Sequence, residues 1–109
     1  MIECRCESTK GIHTIIYEPG SCEAIVKCSE CGRLWYCILF ERINHTLGVD
    51  TLEEYQIPIS EEEYQKIRKT KYENLSLNFL SGRKGRVIHE GGVVEIDAGF
   101  ALGRCGRWT

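Results

Sequence analysis

The sequence predicts an α+β fold, a small antiparallel β-sheet made of two hairpins with one main helix. Three features predict it. Two pairs of short segments rich in β-branched and aromatic residues flank turn residues, one segment between them carries a helix N-terminal signature, and seven cysteines stand in a chain of only 109 residues. No internal repeat or low-complexity run divides the chain. The expectation is therefore one domain over 1–109, with a cysteine-bearing hairpin and a following strand in 1–43 and the helix plus a C-terminal hairpin in 44–109.

The first hairpin is read from Ile12-His13-Thr14-Ile15-Ile16-Tyr17-Glu18, a strand-forming run, followed by Pro19-Gly20-Ser21. Proline presets φ and glycine accepts φ > 0, so these residues turn the chain. Cys22 to Lys27 returns as a second strand and delivers the chain to Cys28. Leu34 to Arg42 is apolar enough for a longer, well-buried strand, with Trp35, Cys37 and Leu39 on one face and Tyr36, Ile38 and Phe40 on the other.

Asn44 to Gln56 reads as an acidic connector. The helix follows it. Ser60 is a good N-cap, Glu63 three residues later completes a capping box, and Ile59 and Tyr64 occupy the positions of a hydrophobic staple. Acids fill the first turn and Lys66, Arg68 and Lys69 the last, the order the helix dipole prefers. Arg86 to Glu90 and Val93 to Asp97 form a final hairpin about Gly91-Gly92, a dipeptide suited to the primed two-residue turns. The glycine-rich tail from Ala98 to Thr109 offers Phe100, Leu102 and Trp108 for packing.

The start of the chain has no apolar run of signal-peptide length, and no stretch is long enough to span a bilayer. A reducing cytoplasm, with no membrane association, is the expected setting, and there structural disulfides are rare. An odd number of cysteines would also leave one thiol over. Net charge is −2 but divided: residues 1–63 carry 5 Lys/Arg against 12 Asp/Glu, and residues 64–109 carry 9 against 4. That asymmetry fits an acidic and a basic face, or two segments that neutralise each other on folding.

The cysteine pattern is the strongest chemical signal. In Lys27-Cys28-Ser29-Glu30-Cys31-Gly32 two thiols stand three positions apart, with glycine after the second. Such a turn lets two thiolates bind one ion while backbone N–H groups point at sulfur. A tetrahedral site needs two more ligands, and Cys4 and Cys6 supply them if the hairpin brings its ends together. The spacing C-x-C, twenty-one residues, C-x-x-C is close to that of zinc sites, although Cys4-x-Cys6 is one residue short and lacks the glycine. Cys22, His13, Cys37 or Cys105 are alternatives for one ligand, while Cys37 also suits a buried apolar position. A redox pair would want a helix after Cys31, and Leu34-Trp35-Tyr36-Cys37-Ile38 reads as strand. A closed set of four thiolates makes the zinc structural. Its binding free energy, about 10–16 kcal/mol in small peptides, exceeds the usual stability of a small domain.

Residues 4–35 resemble a zinc-ribbon or rubredoxin-like knuckle pair, which implies a zinc-ribbon-like N-terminal half and structural Zn2+ but no particular activity. The whole chain, including Cys31-Gly32-Arg33-Leu34-Trp35, is similar in style to the small immunity proteins of bacterial toxin systems, including contact-dependent inhibition. That resemblance implies a short bacterial cytoplasmic protein that binds a cognate toxin domain.

No nucleophile elbow, phosphate loop, HExxH helix or EF-hand loop is present, and His13, His45 and His89 share no motif. No catalytic residue is named, and the chain is expected not to be an enzyme. His89 beside Glu90 reads as a sheet residue. Ser81-Gly82-Arg83-Lys84-Gly85-Arg86 offers glycine N–H groups beside three cations, as a phosphate contact would, but equally suits a basic loop entering the hairpin. Two functions follow. In the first, Asp50, Glu53, Glu54, Glu61 and Glu62 face a basic partner protein such as a toxin domain. In the second, a zinc ribbon binds nucleic acid through Arg83, Lys84, Arg86, Arg104 and Arg107. The overall acidity and the lack of aromatics among those cations weigh against the second.

Overall fold

The computed structural model describes residues 4, 6–18, 21–44, 49–89 and 92–104. Six strands form one antiparallel sheet in chain order: β1 (Thr9–Glu18), β2 (Ser21–Cys28), β3 (Leu34–Asn44), β4 (Val49–Ile59), β5 (Lys84–His89) and β6 (Gly92–Asp97). Helix α1 (Glu61–Lys69) and two short 3₁₀ turns, Tyr72–Asn74 and Asn78–Leu80, lie between β4 and β5, and helix α2 (Ala98–Arg104) follows β6. The broad class is α+β, as expected, but the sheet exceeds the two hairpins read from the sequence. The segment read as an acidic connector is mostly β4, paired with β3 through eleven residue pairs from Leu34↔Ile59 to Asn44↔Val49.

Alternation explains β4. Tyr55, Ile57 and Ile59 pair with Ile38, Tyr36 and Leu34 on one face, while Glu54, Gln56 and Pro58 pair with Leu39, Cys37 and Trp35 on the other. The first face carries the main core: Ile25, Leu34, Tyr36, Ile38, Tyr55, Ile57 and Ile59 pack against Ile67 of α1, Leu77 and Leu80 of the connection, and Ala98, Ala101 and Leu102 of α2. The second face carries a smaller cluster of Cys6, Val26, Cys28, Trp35 and Cys37.

Helix α1 begins as its sequence predicts. Ser60 Oγ accepts from the Glu63 N–H at 3.1 Å, and the Ser60 N–H donates to Glu63 Oε1 at 2.8 Å. Arg83 then clamps this end, donating through Nη1 to Glu63 Oε1 at 2.8 Å and to the Pro58 carbonyl at 3.0 Å. The Arg83 hydrogen bond, with help from the Ser60 N–H, holds the Glu63 carboxyl down at about 2 against the opposing effect of burial.

The C-terminal hairpin forms, with a register that differs from the expected one. His89 pairs with Gly92, so Gly92 belongs to β6 rather than to the turn, and Glu90-Gly91 lie outside the described residues. The glycine-rich tail begins with α2, where Leu102 packs as expected while Phe100 is exposed, and Trp108 lies outside the described residues. Among the described residues, no helix is long and apolar enough to cross a membrane.

Candidate metal centre

Antiparallel pairing of β1 with β2 assembles the site. Thr9 stands opposite Cys28, so the residues leading into β1 run beside the end of β2. The Ser8 carbonyl fastens this approach by accepting from the Ser29 N–H at 2.9 Å and from Ser29 Oγ at 3.0 Å. The turn after β2 closes with the Gly32 N–H donating to the Cys28 carbonyl and the Cys28 N–H donating to the Arg33 carbonyl, both at 2.9 Å. Gly32 has φ +80°, a conformation that side chains resist, which explains glycine after the second thiol. Cys6 adopts φ +53° without that excuse.

The ligand atoms of Cys4, Cys6, Cys28 and Cys31 all lie within 4.8 Å of one another. Cys4 Sγ is 3.7 Å from Cys28 Sγ, and Cys6 Sγ is 3.5 Å from Cys31 Sγ. These gaps far exceed a disulfide bond of about 2.05 Å. They approach the sulfur–sulfur edge of about 3.8 Å that a tetrahedron with metal–sulfur bonds near 2.3 Å requires. The four thiols are close enough to hold a metal ion. Cys6 and Cys28 are buried, Cys4 is half-buried and Cys31 faces solvent.

Protons sit unevenly on the cluster. N–H groups of Cys31 and Glu30 point at Cys28 and, against burial, bring its thiol down to about 7. The Cys6 N–H favours the Cys4 thiolate, but burial and the neighbouring Cys28 and Cys31 sulfurs outweigh it and push Cys4 up to about 12. Burial, then the Cys31 sulfur, raises Cys6. Four thiolates cannot accumulate this closely without a cation to offset their repulsion. A divalent ion would supply it and would release protons as it bound.

The alternative ligands stand elsewhere. Among the described residues the metal-competent group contains neither His13, Cys22 nor Cys37, and Cys105 lies outside those residues. Cys37 is buried between Trp35 and Leu39 on the same face of β3, as its alternation suggests, and donates to Glu54 Oε1 at 3.1 Å. Burial, then the Glu54 carboxylate, holds this thiol far above the usual range. No helix follows Cys31; β3 does, which removes the geometry a redox pair uses.

Sequence reasoning missed a polar strap beside the site. Arg86 of β5 donates through Nη2 to the Cys6 carbonyl at 2.7 Å and through Nε to Gln56 Oε1 at 2.8 Å. Gln56, fully buried, donates through Nε2 to Glu54 Oε1 at 2.8 Å. The guanidinium carbons of Arg86 and Arg33 lie 4.4 Å and 4.8 Å from the centre of the Trp35 ring. Trp35 Nε1 itself is buried and has no hydrogen-bond partner among the described residues. Cys6 and Arg86 are eighty positions apart, so no local pattern announces the contact.

The acidic residues divide. Glu53 and Glu54 emerge on opposite faces of β4: Glu53 accepts from the Tyr55 hydroxyl, and Glu54 is held by Cys37 and Gln56. Glu61 and Glu62 are exposed on the first turn of α1, and Asp50 lies on β4 opposite Ile43. The basic segment is likewise built into the fold. Arg83 clamps α1, Lys84 Nζ meets Asp97 Oδ1 at 2.5 Å, and Arg86 forms the strap. Gly85 is required by packing, since a Cβ there would stand 2.6 Å from the Gln56 carbonyl oxygen. Arg107 lies outside the described residues.

Comparison with family models, curated proteins and solved structures returned no match. The functional reading therefore rests on the residues themselves.

Proposed function

We propose that this chain is a non-catalytic module stapled by one structural zinc ion, and that it works by binding another protein. The observation that carries the reading is the group of four thiol sulfurs within 4.8 Å of one another. Four soft thiolates near tetrahedral spacing suit zinc, and they fill its coordination without leaving a position for substrate or water. The site then contributes folding free energy rather than chemistry.

Cobalt(II) titration tests the closed site. A four-thiolate centre gives an intense tetrahedral visible spectrum that added azide leaves unchanged. A spectrum that shifts with azide reveals an open position and overturns the non-catalytic reading.

The finer form, an immunity protein that neutralises a basic toxin domain, draws on the chain's resemblance in style to such proteins, including Cys31-Gly32-Arg33-Leu34-Trp35, and on the exposed Glu61 and Glu62. Their partners are neighbours on the same helix: Glu61 accepts from Gln65 Nε2 at 3.0 Å and Glu62 Oε1 lies 3.9 Å from Lys66 Nζ, so both stay at the surface, unlike Glu53 and Glu54 within the sheet. Exposed acids steer a basic partner and raise the association rate, most strongly at low salt. Reversing both to lysine slows association with a basic toxin domain that the wild-type chain neutralises. An unchanged rate removes them from the interface.

A further inference from the structure

We infer that Arg86 is a positioning residue for the metal centre, tying the ligand segment at Cys6 to the β4–β5 side of the sheet so that ligand placement depends on the seated C-terminal hairpin. The inference rests on the metal-binding reading above and goes beyond it by giving the site a distant control point.

The ligand segment needs such an anchor. Cys4 and residues 6–8 precede β1 and lie outside its ladder, which begins at Thr9↔Cys28. Ser8 is fastened through its carbonyl, and Cys6 holds an uncommon positive φ. The Cys6 carbonyl is gripped by Arg86 at 2.7 Å, which fixes the peptide that aims this ligand. Residues that orient metal ligands in this way commonly change metal affinity about 10–100-fold when mutated.

The hairpin needs the strap as well. Eleven residue pairs join β3 to β4, but only Glu54↔Ile88, Tyr55↔Val87 and Gln56↔Arg86 join β4 to β5. Arg86 ends this short ladder and extends it sideways, binding Gln56 and Cys6 with different nitrogens while its plane lies near the Trp35 ring. A guanidinium can do all three, because its donors form a rigid planar fork. An ammonium on a flexible stem cannot reproduce that geometry, so lysine is not a conservative replacement here. The metal-bound centre, with four thiolates and one divalent ion, also carries net negative charge, which a cation on the Cys6 peptide offsets.

The test compares zinc affinity, by competition with a chromogenic chelator, and the visible spectrum of the cobalt(II) form in wild-type protein, Arg86→Lys, Arg86→Gln and Leu80→Ala. Leu80 is fully buried on the opposite, helix-covered side, so its variant controls for general destabilisation. The expected result is a loss of affinity of about 10–100-fold in both Arg86 variants, with displaced cobalt bands that Leu80→Ala does not show. If Arg86→Gln yields no folded protein, Arg86→Lys decides. Wild-type affinity and an unchanged spectrum in Arg86→Lys overturn the inference while leaving the metal site standing. Equal losses in Leu80→Ala and the Arg86 variants, with cobalt bands unmoved in all, also overturn it. A wild-type chain that binds neither zinc nor cobalt refutes the metal reading itself.

Discussion

The two faces of the sheet solve the same problem by different means. The face under α1 and α2 buries large aliphatic and aromatic side chains, among them Tyr36, Tyr55, Ile57, Leu80 and Leu102, and removes apolar area from water in the ordinary way. The opposite face has no helix over it among the described residues. It gathers Trp35, Val26 and small thiols, and it fills the remaining surface with the hydrogen-bonded series Cys37–Glu54–Gln56–Arg86. A core that small gains little from area alone. The four thiols can supply the difference, because an ion held among them would join Cys4 and Cys6 to the β2–β3 turn in one step. On the proposed reading, one face is held by many weak contacts that tolerate single losses and the other by one strong centre.

Removing the metal should therefore have the largest effect. Chelation, or Cys28→Ser, is expected to cost an amount comparable to the whole stability of a small domain, about 5–15 kcal/mol, and to abolish the cooperative thermal transition. Calorimetry with and without chelator checks it. Truncation on the helix-covered face is expected to cost less and to spare the metal: Leu80→Ala or Ile57→Ala should lose about 2–5 kcal/mol in urea unfolding while metal content stays unchanged. A matching loss of metal in those variants would erase the distinction between the faces.

Acid separates them further. Metal binding requires deprotonated sulfur, so each thiol protonated in the free protein must give up its proton. Affinity, measured by competition across pH, should already decline as pH falls from about 12, where Cys4 titrates, and decline more steeply below about 7, where Cys28 takes up its proton as well. Glu63 contributes differently. Its folded value of about 2 lies below its ordinary value of 4.5, so its stabilisation is fully present above 4.5 and is lost as pH falls toward 2. Metal release should precede that loss, and Glu63→Gln should flatten only the lower step. The smallest effect expected is at the helix cap, where Ser60→Ala should cost about 1 kcal/mol and leave the metal site untouched.

Local features were legible in the sequence. The capping box at Ser60 and Glu63, the β1–β2 hairpin and the Cys28–Gly32 turn each depend on residues close in the chain, and each forms as its chemistry dictates. Strand β4 was obscured because Glu53 and Glu54 give its first half the composition of an acidic connector, Glu53 puts a charge on the face that Tyr55, Ile57 and Ile59 share, and the Gln56 amide adds a further polar group. Those groups sit within the sheet because Tyr55, Cys37, Gln56 and Arg86 give them hydrogen bonds. Only the fold supplies such partners. The pairing of Cys4 and Cys6 with Cys28 and Cys31 followed from hairpin geometry, whereas the Arg86 strap spans eighty positions and leaves no periodic trace.

The most direct test of the central claim is metal content per chain by elemental mass spectrometry on protein purified without chelator, paired with thiol titration before and after stripping. One zinc ion per chain is expected, with about four thiols newly reactive when it leaves. Protein that contains no metal, with all seven thiols of the chain reactive from the start, would contradict that claim.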